Sequence, residues 1–246
     1  MNFTARRLLR RTGAALLLLL SVLLISCSSL HTVVAEEGDL YRDTKTGTVY
    51  RPLPASYEPI SRGEEYATLD LAGVSYTLHT VTGLDASAYL CSVWGDVYCE
   101  QDVVVDDFPA WEISALHVCT NTALAIPELT VKPSSLYSAE MCVAIFDSLR
   151  DAYLTATPVT YPSYAIPTRV CVLRFEADNV KGLYYTMQLL QYGEDIYEDM
   201  ANADGTVSTV NLGRTFLYDR YTSYCVPVDD VLFRLLDGEK AEDVLS

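Results

Sequence analysis

Residues 89–100 constrain the fold more than any other stretch of the chain. Two short apolar segments, each with a cysteine, flank Gly95, and a glycine in this position is typical of a β-hairpin turn. With the turn centred on Gly95, Cys91 and Cys99 lie opposite each other, within disulfide reach. The segment therefore predicts a hairpin in which Cys91 and Cys99 form either a disulfide or a pair of free thiols.

Similar patterns predict further antiparallel strands. Residues 41–50 and 66–81 each contain two alternating segments around a glycine turn, at Gly47 and Gly73. Strands are also predicted at residues 111–119, 169–177, 183–192 and 215–226. On the first of these strands, His117 shares a face with mostly apolar residues, which predicts a hydrogen-bonded core histidine.

One long helix is predicted at about residues 134–154, where apolar residues recur at three- and four-residue steps after a serine cap. A short C-terminal helix follows at residues 230–236. Together the elements predict an α+β fold, with mainly antiparallel hairpins and the long amphipathic helix packed on the sheet.

The first 26 residues have the features of a signal peptide. Four arginines and no acidic residue precede an apolar run of 13 residues, Gly13 to Ile25. That run is too short for a bilayer span, which needs about 20 residues, and it fits the apolar region of an export signal. The signal indicates a destination outside the cytoplasm.

The end of this segment, Leu24-Ile25-Ser26-Cys27, resembles the lipobox of bacterial lipoproteins. The resemblance covers only residues 1–27. It implies that Cys27 is acylated and becomes the first residue of the mature protein, anchored by its acyl chains without a transmembrane helix. Residues 27–40 are then a tether, and residues 41–246 form a single strand-rich globular domain or two lobes divided near residue 130.

Charge excludes one class of partner. Four of the 17 basic residues and none of the 33 acidic ones lie in the signal, so the remainder carries a formal charge of −20 against −16 for the whole chain. Such a charge repels nucleic acid. The partners predicted from the sequence are therefore the membrane, through the lipid anchor, and an extracellular ligand or envelope protein. No cofactor is implied.

Candidate catalytic groups are present without an assembled motif. A cysteine nucleophile needs a thiolate beside His79 or His117, and no C-x-x-C motif occurs. The acidic pairs Glu64-Glu65, Asp106-Asp107 and Asp229-Asp230 offer carboxylates for glycoside hydrolysis, if two of them meet in space. Residues 202–205 have part of a calcium-loop pattern but lack its other ligands, so a turn is predicted there.

Two hypotheses follow for the function. The first is a lipid-anchored protein of the bacterial cell envelope, facing outside the cytoplasm, that binds or scaffolds an extracytoplasmic partner. The second is an exported hydrolase acting on cell-wall or dietary polymer through carboxylates or a Cys-His pair.

Overall fold

A computed structural model of the protein describes residues 30–71, 73–120, 126–201 and 205–245. The signal segment and Cys27 lie outside the described residues, as do residues 202–204 of the predicted turn. The first eight strands are β1 (His31–Glu36), β2 (Leu40–Asp43), β3 (Val49–Pro52), β4 (Tyr57–Pro59), β5 (Arg62–Leu71), β6 (Val74–Val81), β7 (Tyr89–Ser92) and β8 (Val97–Glu100).

The second half of the chain supplies six more strands and three α-helices. The strands are β9 (Ile113–Cys119), β10 (Leu129–Val131), β11 (Arg169–Ala177), β12 (Leu183–Ala201), β13 (Val207–Asp219) and β14 (Tyr224–Pro227). The helices are α1 (Ala139–Thr155), α2 (Val231–Leu236) and α3 (Ala241–Val244), and a 3₁₀ turn occupies Phe108–Ala110.

Seven strands close into a barrel in the order β1-β2-β3-β8-β7-β6-β5. Closure depends on the parallel pairing of β1 with β5, from His31 opposite Ala67 to Val34 opposite Asp70. All other neighbours in the barrel are antiparallel, including the predicted hairpins β2–β3 and β5–β6. Because β1 begins at His31, the barrel starts within residues that the sequence assigned to the tether.

The α+β prediction is wrong. The described residues are mostly β, with 48% in strands and 14% in helices, and the barrel is the main feature that the prediction lacked. The predicted long helix is shorter and begins five residues later, at Ala139. The reason is local: the Ser138 hydroxyl caps the helix by accepting from the Met141 amide, whereas the Ser134 hydroxyl accepts from Leu136 and Tyr137 in a separate turn.

The hairpin β7–β8 is present, but in a different register from the predicted one. A three-residue loop, Val93 to Gly95, joins the strands, and Gly95 takes the positive φ of 98° that such loops need. Ser92 therefore faces Asp96, Cys91 pairs with Val97, and Cys99 pairs with Tyr89. The two cysteines are offset by two residues, because the loop is centred on Trp94 and not on Gly95.

A second sheet has the order β10-β9-β11-β12-β13-β14. Strand β12 is paired along one edge with β11, and its other edge is shared by two strands. Strand β4, from the barrel half of the chain, pairs with residues 183–185, whereas β13 pairs from Gln188 onward. Thr186 and Met187 lie between the two partners, and this interruption positions the cavity described below.

The main hydrophobic core lies between the barrel and the sheet, and two smaller clusters lie apart from it. Inside the barrel, a small cluster includes Val33, Tyr50 and Leu78. Outward-facing residues of β7 and β8 instead join the main core, together with alternate residues of β9, β11 and β12 and the buried face of α1. Burial on both faces explains why β7 and β8 read as almost continuous apolar segments.

Candidate functional site

The opposite face of the sheet is polar, and it carries a cavity. The cavity has a volume of about 620 Å³ and lies where β4 and β13 meet the edge of β12. Its size is within the range of small-ligand sites. The residues lining it are Ala55, Ser56, Glu58, Val172, Arg174, Thr186, Met187, Gln188, Asp219, Arg220 and Tyr221.

An ion pair that crosses over β12, from β11 on one side to β4 on the other, forms one wall. Nε of Arg174 on β11 donates to Oε2 of Glu58 on β4 at 2.9 Å, and the two side chains are 15% and 33% exposed. The guanidinium also lies 3.7 Å from the Cys119 sulfur through Nη1 and 5.8 Å from the centre of the Tyr184 ring. The wall therefore presents a fixed positive group beside a fixed negative one, both within reach of the cavity.

One hydroxyl in the lining lacks a partner. Oγ1 of Thr186 is buried and makes no hydrogen bond, although the backbone amide of Thr186 donates to the Ser56 carbonyl at 2.7 Å. An unsatisfied buried hydroxyl costs about 1–3 kcal/mol. The Thr186 side chain lines the cavity, so this unpaired oxygen lies in the cavity wall.

Asp219 supports the other side of the cavity. Its carboxylate is only 1% exposed and accepts four hydrogen bonds: from the Ser56 hydroxyl (3.0 Å), the Tyr185 hydroxyl (2.7 Å) and the backbone amides of Tyr221 (2.9 Å) and Thr222 (3.3 Å). Burial, and then the bond to Asp219 and its charge, raise the pKa of Tyr185 well above its usual value. Asp219 therefore holds the turn that presents Arg220 and Tyr221.

A smaller cavity of about 300 Å³ continues from the first. The two share Glu58 and Arg174, and the smaller one is also lined by Arg62 and Trp94. Trp94 lies at the tip of the β7–β8 loop with 66% of its surface exposed, and its ring contacts Tyr76 edge-on at 4.8 Å. We call the two adjoining cavities the junction groove, because they share Glu58 and Arg174 and follow the boundary between barrel and sheet.

His117 lies on the polar face of the sheet, and the prediction of a core histidine was wrong about the face. Its Nε2 lies 2.8 Å from a Glu176 oxygen and its Nδ1 lies 3.1 Å from the Thr130 hydroxyl. Because a carboxylate only accepts, Nε2 donates to Glu176, and Nδ1 shares its hydrogen bond with the Thr130 hydroxyl. Both nitrogens are therefore occupied, and neither is available as a base for Cys119.

The structure places His79 directly opposite Cys91 on neighbouring strands. The pair is not arranged for nucleophilic catalysis. Cys91 is fully buried, its thiol donates to the Thr80 carbonyl at 3.6 Å, and burial raises its pKa to about 11. Nδ1 of His79 is buried without a hydrogen-bond partner.

The six described cysteines are all free and buried. Burial raises the pKa of Cys99 and Cys142, that of Cys171 to about 11 and that of Cys225 to about 12. A raised thiol pKa suppresses the thiolate that attacks a substrate. The Cys91–Cys99 disulfide stays a prediction, although the register that motivated it is not the observed one.

The acidic pairs proposed for glycoside hydrolysis are dispersed. Glu64 and Glu65 are exposed on β5, Asp106 accepts from the Asn179 amide, and Asp230 forms an ion pair with Arg214 at 3.6 Å. None of these acids lines the junction groove. Within the described ranges, no group of three or more His, Cys, Asp or Glu side chains is placed to hold a metal ion.

Sequence reasoning missed Glu58, Arg174, Thr186 and Gln188. Part of the signal was present, because polar residues alternate with apolar ones along residues 173–176 and 183–189, which indicates a polar face. The contact between Arg174 and Glu58 could not be predicted from local sequence patterns, since β4 is separated from β11 by more than one hundred residues.

Comparisons with known proteins add no relative. No family model matches the chain, and the searches of curated proteins and of solved structures found no match. Among the helices of the described residues, none is long and apolar enough to cross a membrane.

Proposed function

We propose that the protein is a lipid-anchored component of the bacterial cell envelope whose domain binds an extracytoplasmic ligand in the junction groove. The observation that carries the binding site is the unpaired Thr186 hydroxyl in a cavity of about 620 Å³ whose wall is the Glu58–Arg174 ion pair. Polar groups fixed by their neighbours around a concave surface are typical of ligand sites.

The anchor is supported by the lipobox-like sequence that ends at Cys27. Strand β1 begins at His31, and four residues span at most about 14 Å. If Cys27 is acylated, the barrel is held close to the membrane surface. The junction groove would then receive a ligand from the envelope immediately outside that membrane.

Binding is favoured over catalysis by the state of the reactive groups. The raised thiol pKa values and the two occupied nitrogens of His117 oppose a Cys-His nucleophile. In the groove itself, Asp219 already accepts four hydrogen bonds and Glu58 is paired with Arg174. These carboxylates are therefore committed to holding the site together.

The anchor is tested by expressing the full chain in a bacterial host beside Cys27→Ala. We expect the wild-type protein in the membrane fraction, with an intact mass that begins at Cys27 and includes acyl chains. The variant should lose both properties. An unmodified mass for the wild-type protein, or an unchanged location for the variant, would contradict the anchor.

The groove is tested by co-sedimentation of the protein with insoluble envelope and plant cell-wall polymers. We expect at least one polymer to retain the wild-type protein, and Gln188→Trp, which fills the larger cavity, to abolish retention. The matched control is Thr48→Trp, in a polar surface cavity on the barrel. Release of soluble fragments from the polymer would instead favour the hydrolase hypothesis, and equal retention of both variants would contradict the groove.

A further inference from the structure

We infer that the junction groove binds a carboxylate-bearing saccharide, such as a chain of uronic acids. The inference rests on the proposed function, in that the groove must be the ligand site. It adds the chemical class of the ligand, which follows from the charges and the aromatic surfaces that line the groove.

The charges of the groove differ from those of the chain as a whole. The protein has a formal net charge of −16, yet three arginines line the two adjoining cavities: Arg62, Arg174 and Arg220. Of the acids beside them, Glu58 is paired with Arg174, and Asp219 accepts only from uncharged donors, so three arginines stand against two carboxylates in the lining. The groove is therefore locally positive on an acidic protein, which favours an anionic ligand.

The two outer arginines lie in different cavities. Arg62 lines the smaller cavity and Arg220 the larger one, and none of the salt bridges between described residues includes either side chain. Nη1 of Arg62 donates to the Val93 carbonyl at 3.1 Å, which holds the side chain against the β7–β8 loop. A guanidinium binds a carboxylate through paired hydrogen bonds. The groove thus offers a carboxylate partner on each side of the Glu58–Arg174 pair, which suits an acidic polymer.

Aromatic and hydroxyl groups favour a saccharide over other anions. Trp94 exposes 66% of its surface in the smaller cavity, and Tyr221 exposes 57% of its surface at the larger one. Such side chains combine an apolar body with a polar tip, which matches a sugar ring that has C–H faces and hydroxyl edges. The Thr186 hydroxyl and the Gln188 amide can bond with those hydroxyls.

Two other anionic polymers fit less well. A peptide that extends the sheet needs a free strand edge, but β4 and β13 already occupy this edge of β12, and the Ser56 carbonyl accepts from the Thr186 amide between them. Nucleic acid needs a broad basic surface, which a chain with 33 acidic and 17 basic residues does not offer.

The test is isothermal titration of the full chain, extracted in detergent, with defined tetrasaccharides. The probes are oligogalacturonate, oligomannuronate and oligoglucuronate, each beside its carboxyl-reduced form, which keeps the rings, linkages and hydroxyls. We expect at least one acidic probe to bind about tenfold or more tightly than its reduced form, because two charge-assisted contacts are lost on reduction. The affinity should fall as salt rises.

Substitutions of the groove arginines test whether the acidic probes bind in the groove. Arg62→Gln and Arg220→Gln should each weaken binding of the acidic probe about tenfold and weaken binding of the reduced probe much less. The matched control is Arg42→Gln, which removes an exposed arginine from the barrel surface and should change neither affinity. Thr186→Val should weaken the binding of both probes severalfold. Its melting temperature should rise, because the substitution removes an unsatisfied buried hydroxyl.

The outcomes separate this inference from the proposed function. Equal or tighter binding of the reduced probes would overturn the carboxylate preference and leave the groove as a saccharide site. If no acidic probe binds, the inference is overturned, and the proposed function is then decided by co-sedimentation with Gln188→Trp. Loss of binding in Arg42→Gln equal to that in Arg220→Gln would also overturn it, since the charge effect would then be nonspecific.

Discussion

The barrel and the sheet each contain one buried aspartate at the end of a hairpin strand, and the two carboxylates make nearly the same bonds. Asp43 ends β2 and accepts from the amides of Lys45 and Thr46, whereas Asp219 ends β13 and accepts from the amides of Tyr221 and Thr222. Each also accepts from a tyrosine hydroxyl, that of Tyr66 or of Tyr185.

The difference lies in the fourth partner. Nε2 of His31 lies 3.0 Å from the Asp43 carboxylate, which ties the first strand of the barrel to a neighbour 12 residues away. The Ser56 hydroxyl donates to Asp219 across 163 residues, and thereby joins the segment before β4 to the sheet. The same local turn therefore stabilises a closed barrel in one place and the wall of a ligand groove in the other.

Asp219→Ala should have the largest effect. It leaves two buried hydroxyls and two turn amides without their acceptor, so we expect a loss of about 4 kcal/mol in the free energy of unfolding. Urea denaturation measures this loss. Retention on the polymer that binds wild-type protein should also disappear, since the turn with Arg220 and Tyr221 depends on Asp219. A variant with wild-type stability would show that the four bonds contribute little.

Asp43→Asn should lower the free energy of unfolding by about 2 kcal/mol, and this loss should depend on pH. Burial alone raises the pKa of Asp43, but the bonds from Lys45, Tyr66, His31 and Thr46 outweigh it and lower the pKa from 3.8 to about 2. A lowered pKa stabilises the fold above the unfolded value of 3.8, and this stabilisation disappears as the pH falls to about 2.

The measurement for Asp43→Asn is urea denaturation at several pH values. The difference between wild type and variant should be about 2 kcal/mol at pH 6 and should shrink as the pH falls from about 4 through about 2, where half of the wild-type carboxyl is protonated. Polymer retention should be unchanged at pH 6, because Asp43 does not line the groove. A difference that is constant from pH 6 to pH 2 would contradict the lowered pKa.

Ser56→Ala removes only the long-range hydrogen bond to Asp219 and should lower the free energy of unfolding by about 1 kcal/mol. The Ser56 carbonyl still accepts from the Thr186 amide, so the position of β4 should be retained. Ser87→Ala is the matched control, because the exposed Ser87 hydroxyl donates to an aspartate only two residues away. Thermal denaturation should show a clear loss for the first variant and almost none for the control.

Cysteine alkylation compares the buried thiols of the barrel strands with those of the sheet and α1. We expect six thiols to be alkylated in unreduced, unfolded protein, and slow alkylation of the folded protein at pH 8, because burial raises the thiol pKa values. Intact mass measures both. Only four alkylated thiols would indicate one disulfide, and peptide mapping would then test Cys91–Cys99.

Local structure was readable from the sequence because it depends on neighbouring residues. Period-two alternation and glycine turns located the hairpins β2–β3, β5–β6 and β7–β8 and the pair β11–β12. The same signals did not predict the register of β7 and β8. The loop is centred on Trp94 and not on Gly95, so Cys99 pairs with Tyr89 and not with Cys91. A shift of one residue in the loop changes every residue pair of the hairpin, so the register can be assigned only when the loop geometry is known.

The sequence alone thus determined the strand-rich character, the positions of several hairpins, the acidic charge and the lipobox-like stretch that ends at Cys27. Only the tertiary structure decided that β1 closes a barrel by pairing with β5, and that β4 leaves the barrel to pair with β12. The physical reason is that alternation specifies which residues share a face, but not which distant strand covers it. The junction groove depends on contacts such as Glu58 with Arg174 and Ser56 with Asp219, which are 116 and 163 residues apart.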